Sequence, residues 1–150
     1  MKVYEEELYQ HRDHASDPFP PGQYEYCTFD HCHFGRADLR GFHFSECKFV
    51  HCDLSLANLQ EVPLQQLRFE HCKLVGIDFS VAGQLLFEIA VDYCNLELAV
   101  FRGMKLGQQG FDRCHMREVD FSGADLQQAS FDSTEISGAI YERTDLRGPG

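Results

Sequence analysis

A period of five residues constrains this chain more than any other feature. From Tyr24 the fifth positions read Tyr24, Phe29, Phe34, Leu39, Phe44, Phe49, Leu54, Leu59, Leu64, Phe69, Leu74 and Phe79. Each is large and apolar or aromatic. A helix repeats its buried face near 3.6 residues and a strand at 2, so neither produces five. A short fixed period is the mark of a solenoid. The register breaks at residues 80–85 and resumes as Leu86, Val91, Leu96, Phe101, Leu106, Phe111, Met116, Phe121, Leu126, Phe131, Ile136, Tyr141 and Leu146. Phe79 to Leu86 is seven residues, so two are inserted within 80–85.

Stacking the chain at a period of 20 shows how many blocks make a turn. Cys32, Cys52 and Cys72 then share a column, which continues past the insertion through Cys94 and Cys114. Cys27 and Cys47 stack in the neighbouring column, and Phe29, Phe49, Phe69, Val91, Phe111 and Phe131 form another. Four blocks therefore close one turn, each forming one side of a square. Two side chains in five point inward: the large central residue and the smaller one two places before it. The expected fold is an all-β parallel β-helix of about six coils, since stacked coils pair at the ladder spacing of about 4.8 Å. Its expected core includes the five-cysteine column and Phe29, Phe49, Phe69, Phe111 and Phe131. Phe42 is large where its neighbours are small, and Gly22 and Val62 in the same column offset it. Asp38, Asn58, Asp120 and Asp125 precede central residues, where they can hydrogen-bond nearby backbone at the corners.

Residues 1–23 are read as lying outside the repeat, as an N-terminal cap or arm with Phe19 plugging the end; residues 24–148 are the β-helix. The formal net charge is -11. That sign disfavours direct binding of nucleic acid or anionic membranes and permits binding to a basic protein surface. No apolar run approaches the roughly 18 residues that would span a bilayer. The first residues carry no apolar leader core, so a cytoplasmic location is expected. Seven cysteines placed inward read as reduced thiols rather than a disulfide framework.

The blocks Ala37-Asp38-Leu39, Ala57-Asn58-Leu59 and Ala124-Asp125-Leu126 resemble the A-(D/N)-L-x-x motif of pentapeptide repeat proteins. The resemblance covers about residues 24–148 and implies a right-handed quadrilateral β-helix. Within that family the Cys-rich blocks and acidic balance most resemble the quinolone-resistance proteins of the Qnr type. Such proteins are DNA mimics that bind type II topoisomerases (DNA gyrase, topoisomerase IV) and protect them from fluoroquinolones. This sequence departs from them in carrying only the short interruption at 80–85 and in ending at DLRGPG without a dimer helix. An open ladder end after Leu146 leads to the expectation of an end-to-end homodimer. A protein-interaction scaffold with a different partner is the alternative.

Cys27, Cys32, Cys47 and Cys52 lie beside His31, His33, His51 and His71 in sequence. The register sends the cysteines inward and the histidines outward, so no metal site and no cofactor is expected of them. His31, His51 and His71 form an outward column. A second outward column is acidic: Asp30, Glu70, Asp92, Asp112 and Asp132, interrupted by Val50. A line of carboxylates along a rod is what mimicry of a phosphate strand requires, and these five are the candidate partner-binding residues. Lys48, Arg68 and Arg113 stand on adjacent positions and neutralise part of that charge. No G-x-S-x-G, Walker loop, H-E-x-x-H or dinucleotide fingerprint occurs, and a filled prism has no concave pocket, so no enzyme is expected.

Overall fold

The computed structural model describes residues 1–141 and Thr144. Leu146 and the rest of residues 145–150, where the open C-terminal edge was expected, lie outside the described residues. The chain winds as a four-sided parallel β-solenoid. Face A stacks β1 (Val3–Glu5), β3 (Gln23–Glu25), β5 (His43–Ser45) and β7 (Leu64–Gln65) as a four-stranded parallel sheet. Face B stacks β2 (Leu8–Gln10), β4 (Thr28–Asp30), β6 (Lys48–Val50), β8 (Leu67–Glu70), β9 (Ile89–Asp92) and β10 (Phe111–Asp112), one strand per turn. Faces C and D are joined by isolated parallel bridges such as Asp53↔Lys73 and Val100↔Asp120. Among the described residues no helix is long and apolar enough to cross a membrane.

The register is the one the period of 20 implies. Phe29 pairs with Phe49, Phe49 with Phe69, Phe69 with Val91 and Val91 with Phe111. The interior is a set of ring columns. Phe29 and Phe49 stack at 4.6 Å with 8° between planes, and Phe49 and Phe69 at 5.0 Å. Phe29, Phe49, Phe69 and Phe111 are buried, as are all seven cysteines; Phe131 is half-buried against the core. Phe42 is buried and stacks on Tyr24 at 5.8 Å. Below it in the column, a Cβ at Gly22 would meet the Lys2 carbonyl oxygen at 2.8 Å and the Tyr4 ring at 2.9 Å, so only glycine fits there.

Three features depart from the sequence reading. The repeat extends further toward the N-terminus than residue 24. Tyr4 pairs with Tyr24, Tyr9 with Phe29 and Asp13 with His33, so residues within 1–23 form a coil of their own in the same register. Tyr4, Tyr9, His14 and Phe19 are its central residues. The charged residues and three prolines (Pro18, Pro20, Pro21) hid the pattern. Second, the register shift overlaps residues 80–85 only at their end and runs past them. Pro63 still bridges Gly83, an offset of 20, whereas Leu67 pairs with Ile89, an offset of 22. The slack is therefore taken up between Gly83 and Ile89. Third, Leu86 is not a central residue. It is 72% exposed, Leu85 is 79% exposed, and Phe87 packs against the core instead. Its ring meets Phe79 edge-on at 6.3 Å.

The cysteines do more than fill space. Where a corner closes by a backbone bond from i+3 to the central carbonyl, as Ala37 to Phe34 or Ala57 to Leu54, the inward residue is mostly apolar, with Gln109, Thr134 and Thr144 the polar exceptions among the described residues. In the strands of faces A and B the central carbonyl instead accepts a ladder N–H, and at several of these positions a thiol of the next turn adds a second donor. Cys52 donates to the Phe29 carbonyl at 3.2 Å, Cys72 to Phe49 at 3.3 Å, Cys94 to Phe69 at 3.3 Å and Cys47 to Tyr24 at 3.3 Å. Thr134 takes the same role toward the Phe111 carbonyl. A second bond of this kind contributes about 0.5–1.5 kcal/mol. Burial pushes the Cys27 thiol up and the Cys47 thiol up to about 12, so these two stay neutral donors.

Three outcomes are expected. Phe111→Ala destabilises by about 3–5 kcal/mol in denaturant unfolding, because a fully buried ring leaves a cavity. Cys52→Val destabilises by about 0.5–1.5 kcal/mol, and Cys52→Ser recovers part of that loss, because serine restores the second donor to Phe29. Burial pushes the Tyr9 phenol from 10.0 up to about 12 and raises that of Tyr24 also, whose hydroxyl donates to the Pro20 carbonyl at 2.6 Å. Folding then favours the neutral phenols. Stability is intact below about pH 10, where the unfolded chain's tyrosines ionise, and falls as pH rises from there toward 12. Melting temperatures across that range, compared with Tyr9→Phe, check the sign.

Candidate functional site

The interior is filled, so chemistry belongs to the outer columns. Two kinds of acidic column exist, and backbone hydrogen bonding separates them. On face D the acids precede the central residue and cap corners. Asp38 accepts from the Arg40 N–H at 3.1 Å, Asp78 from Ser80 at 2.9 Å and Asp120 from Ser122 at 2.9 Å. Asn58 does the same for Gln60, and Asp125, in the column of face A, for Gln127. Paired with Arg40, Asp38 has its carboxyl held down to about 2. These side chains explain themselves as turn formers.

On face B the acids follow the central residue, and none of them accepts a backbone N–H. The ladder places Asp30, Val50, Glu70, Asp92 and Asp112 in one line, and Arg113 donates its N–H to the Asp132 carbonyl one turn on. Like charges stacked at ladder spacing repel, so such a column adds nothing to the fold. Cations on neighbouring positions take up part of the charge. Arg113 grips both oxygens of Asp92 at 2.9 and 2.7 Å and holds its carboxyl below the usual range. Glu70 has Lys48 at 3.5 Å and Arg68 at 3.8 Å. Asp30 lies 2.6 Å from His31 Nδ1, whose hydrogen bond lowers its carboxyl. Asp112 and Asp132 have no cation paired with them among the described residues.

The corner beside this column carries stacked rings. His11, His31, His51 and His71 stack at 5.0, 4.8 and 4.9 Å, Tyr93 continues on His71 at 4.8 Å, and Arg113 lies over Tyr93 at 4.9 Å. All six have φ between 52° and 54°, the left-handed region, because each turns the chain from face B to face C. The sequence reading had His31, His51 and His71. It missed His11, Tyr93 and Arg113, although the same offsets of 20 and 22 lead to them. Among the described residues no group of three or more His, Cys, Asp or Glu is arranged to hold a metal. The parallel imidazoles turn their faces to one another, and the cysteines lie behind the sheet.

Comparison with known proteins fits this geometry. A pentapeptide repeat region model matches residues 23–84, and an eight-copy pentapeptide repeats model matches residues 94–131 and 111–148. The chain is a pentapeptide repeat protein. Among solved structures it is similar to QnrB1, a plasmid-mediated fluoroquinolone resistance protein. That alignment covers 99% of this chain and 93% of QnrB1 at 19% identity, with a TM-score of 0.46. It is also similar to HetL, a pentapeptide repeat protein involved in heterocyst differentiation regulation from the cyanobacterium Nostoc sp. strain PCC 7120. There the alignment covers 98% of this chain and 88% of HetL at 14% identity, with a TM-score of 0.37. No curated protein matches the sequence.

The buried thiols give a direct check on how this repeat closes around its core. All seven cysteines are free and buried. In the native protein a thiol reagent such as Ellman's is expected to titrate them slowly and incompletely, and all seven at once after denaturation. Prompt reaction of Cys72 in the native state would contradict the inward column.

Proposed function

We propose that this pentapeptide repeat protein is a non-enzymatic DNA mimic of the bacterial cytoplasm that binds a type II topoisomerase, DNA gyrase or topoisomerase IV, through face B. The observation that carries the reading is the face B acidic column, which serves no turn, cap or ladder bond. Its carboxylates recur coil by coil, about 4.8 Å apart, with one gap at Val50. A DNA strand presents one phosphate per about 3.4 Å of axis, so the column offers a comparable linear charge density. The net charge of -11 adds a long-range field that draws a basic duplex-binding surface. The free, buried cysteines accord with a reducing compartment.

The test is a gyrase supercoiling assay with purified protein, with and without a fluoroquinolone. Inhibition, or protection from the drug, is expected at micromolar protein. The triple variant Asp92→Asn, Asp112→Asn, Asp132→Asn should require at least about tenfold more protein for the same effect, with its circular dichroism unchanged. No effect of the wild type on either activity sinks the proposal.

A scaffold for a different protein partner is favoured by one observation: Lys48, Arg68 and Arg113 interleave with the acids, giving a mixed-charge face. Arg113→Ala separates the readings. It strengthens topoisomerase binding if negative charge alone is recognised, and weakens binding to a partner that reads the mixed pattern.

A further inference from the structure

The shift of register between Gly83 and Ile89 opens the ladder. Residues 84–88 remain tied to the preceding turn: Glu88 donates its N–H to the Leu64 carbonyl at 3.1 Å, Leu67 donates to Glu88 at 3.0 Å, and the Gln65 side chain donates to Leu85. On the following turn, Leu106, Gln108 and Phe111 donate onward to Asp125, Gln127 and Ser130. Among the described residues no backbone hydrogen bond joins residues 84–90 to residues 105–110. Pairing resumes only at Val91 and Phe111.

At most other central positions the preceding residue donates its N–H back to the turn below, as Lys48 does to Cys27 and Asp125 to Met104; Asp38, Asp78 and Pro63 do not. At Lys105 and Gly110 that bond is missing. The residue after a central position normally has its carbonyl taken, as Gln65 does by Glu46. At Gly107 it is not, because Glu88 has turned to Leu64. An edge of 105–110 thus presents donors at Lys105 and Gly110 and acceptors at Lys105 and Gly107, the pattern of an unpaired parallel strand. A groove of about 830 Å³ lies along it, lined among others by Phe87, Ala90, Lys105, Gly107, Gly110 and Asp112. That is within the roughly 300–1,000 Å³ of ligand-binding clefts. Ala90 and Gly110 keep its floor low where face B elsewhere carries Lys48 and Arg68.

We propose that this seam accepts an extended peptide segment of a partner protein, added as a strand beside residues 105–110, with a lysine or arginine side chain directed at Asp112. Backbone pairing supplies the affinity and one charged side chain the selectivity, as in other strand additions. The charge follows from the groove. Asp112 Oδ1 is buried without a hydrogen-bond partner. The arginines nearby are engaged, Arg113 with Asp92 and Arg68 with Glu70. Glu46 and Glu88 also line the groove, against Lys105 on its lip. The inference stands apart from topoisomerase binding, and its test involves no topoisomerase.

The probe is an acetylated, amidated peptide, Thr-Val-Thr-Lys-Thr-Val-Thr, with a control carrying Glu in place of Lys. Amide hydrogen exchange is followed by NMR, and affinity by calorimetry. In the free protein the amides of Lys105 and Gly110 are expected to exchange at least about tenfold faster than those of Leu106 and Phe111. The lysine peptide binds saturably and slows both. The Glu peptide, or the variant Asp112→Asn, weakens binding by about tenfold or more. Ala90→Leu, on the outer surface, blocks the groove and abolishes it. Three results overturn the proposal: slow exchange of Lys105 and Gly110 in the free protein at every concentration, meaning that residues 84–88 close the seam; slowing that grows with protein concentration, meaning that a second copy occupies it; or no saturable binding of the lysine peptide up to millimolar concentration. Binding unchanged in Ala90→Leu places the peptide elsewhere and overturns it equally.

Discussion

Everything in this molecule depends on the parallel ladder that holds each turn directly over the last. A backbone that must pair every 20 residues cannot place one face independently of the other three. Once Phe29 sits under Phe49, the corners, the inward small residues and the outward polar residues are in register as well. The ladder also determines what the interior can be. At a spacing near 4.8 Å, aromatic rings in one column fall naturally into contact. The square between them has room for only one large side chain per side, and a small one beside it. Cysteine suits that second place because it is small and buried and still carries a second donor for a central carbonyl of the turn before.

The same order makes the surface a set of lines rather than patches. Any residue type repeated at the period becomes a row: stacked imidazoles at the corner between faces B and C, carboxylates beside them, turn-forming Asp and Asn on face D. Rows built into turns are explained by the fold. The face B acids are not, since they hydrogen-bond no backbone and repel one another, and that is why the functional reading rests there. Arg113 joins the two rows, lying over Tyr93 while holding Asp92.

The ladder is also the structure's weak point wherever the period slips. Two additional residues cannot be absorbed inside a packed square, so residues 84–88 bulge from it, with Phe87 reaching back to the core. Leu85 and Leu86 turn to solvent, and a strand edge is uncovered in the middle of the rod. The apolar character of Leu86 and its place in the arithmetic made it look central. Nothing in the local sequence distinguishes it from Phe87. The choice was made by the Leu64 carbonyl, which captures Glu88, and by the space beside Phe79 that the larger ring fills.

The column arithmetic of one sequence was enough for the four-sided solenoid, the inward cysteines and the line formed by Asp30, Glu70, Asp92, Asp112 and Asp132. Periodicity is a property of order along the chain, and in a solenoid that order maps directly onto space. Three things needed the folded molecule. The N-terminal coil was hidden because Tyr4, Tyr9, His14 and Phe19 stand among prolines and charges that obscure the pattern, and only pairing with Tyr24 and Phe29 reveals it. The neutralisation of Asp92 and Glu70 depends on where long Arg and Lys side chains reach across turns. The open seam depends on which backbone groups find partners, a three-dimensional competition that spacing alone does not encode.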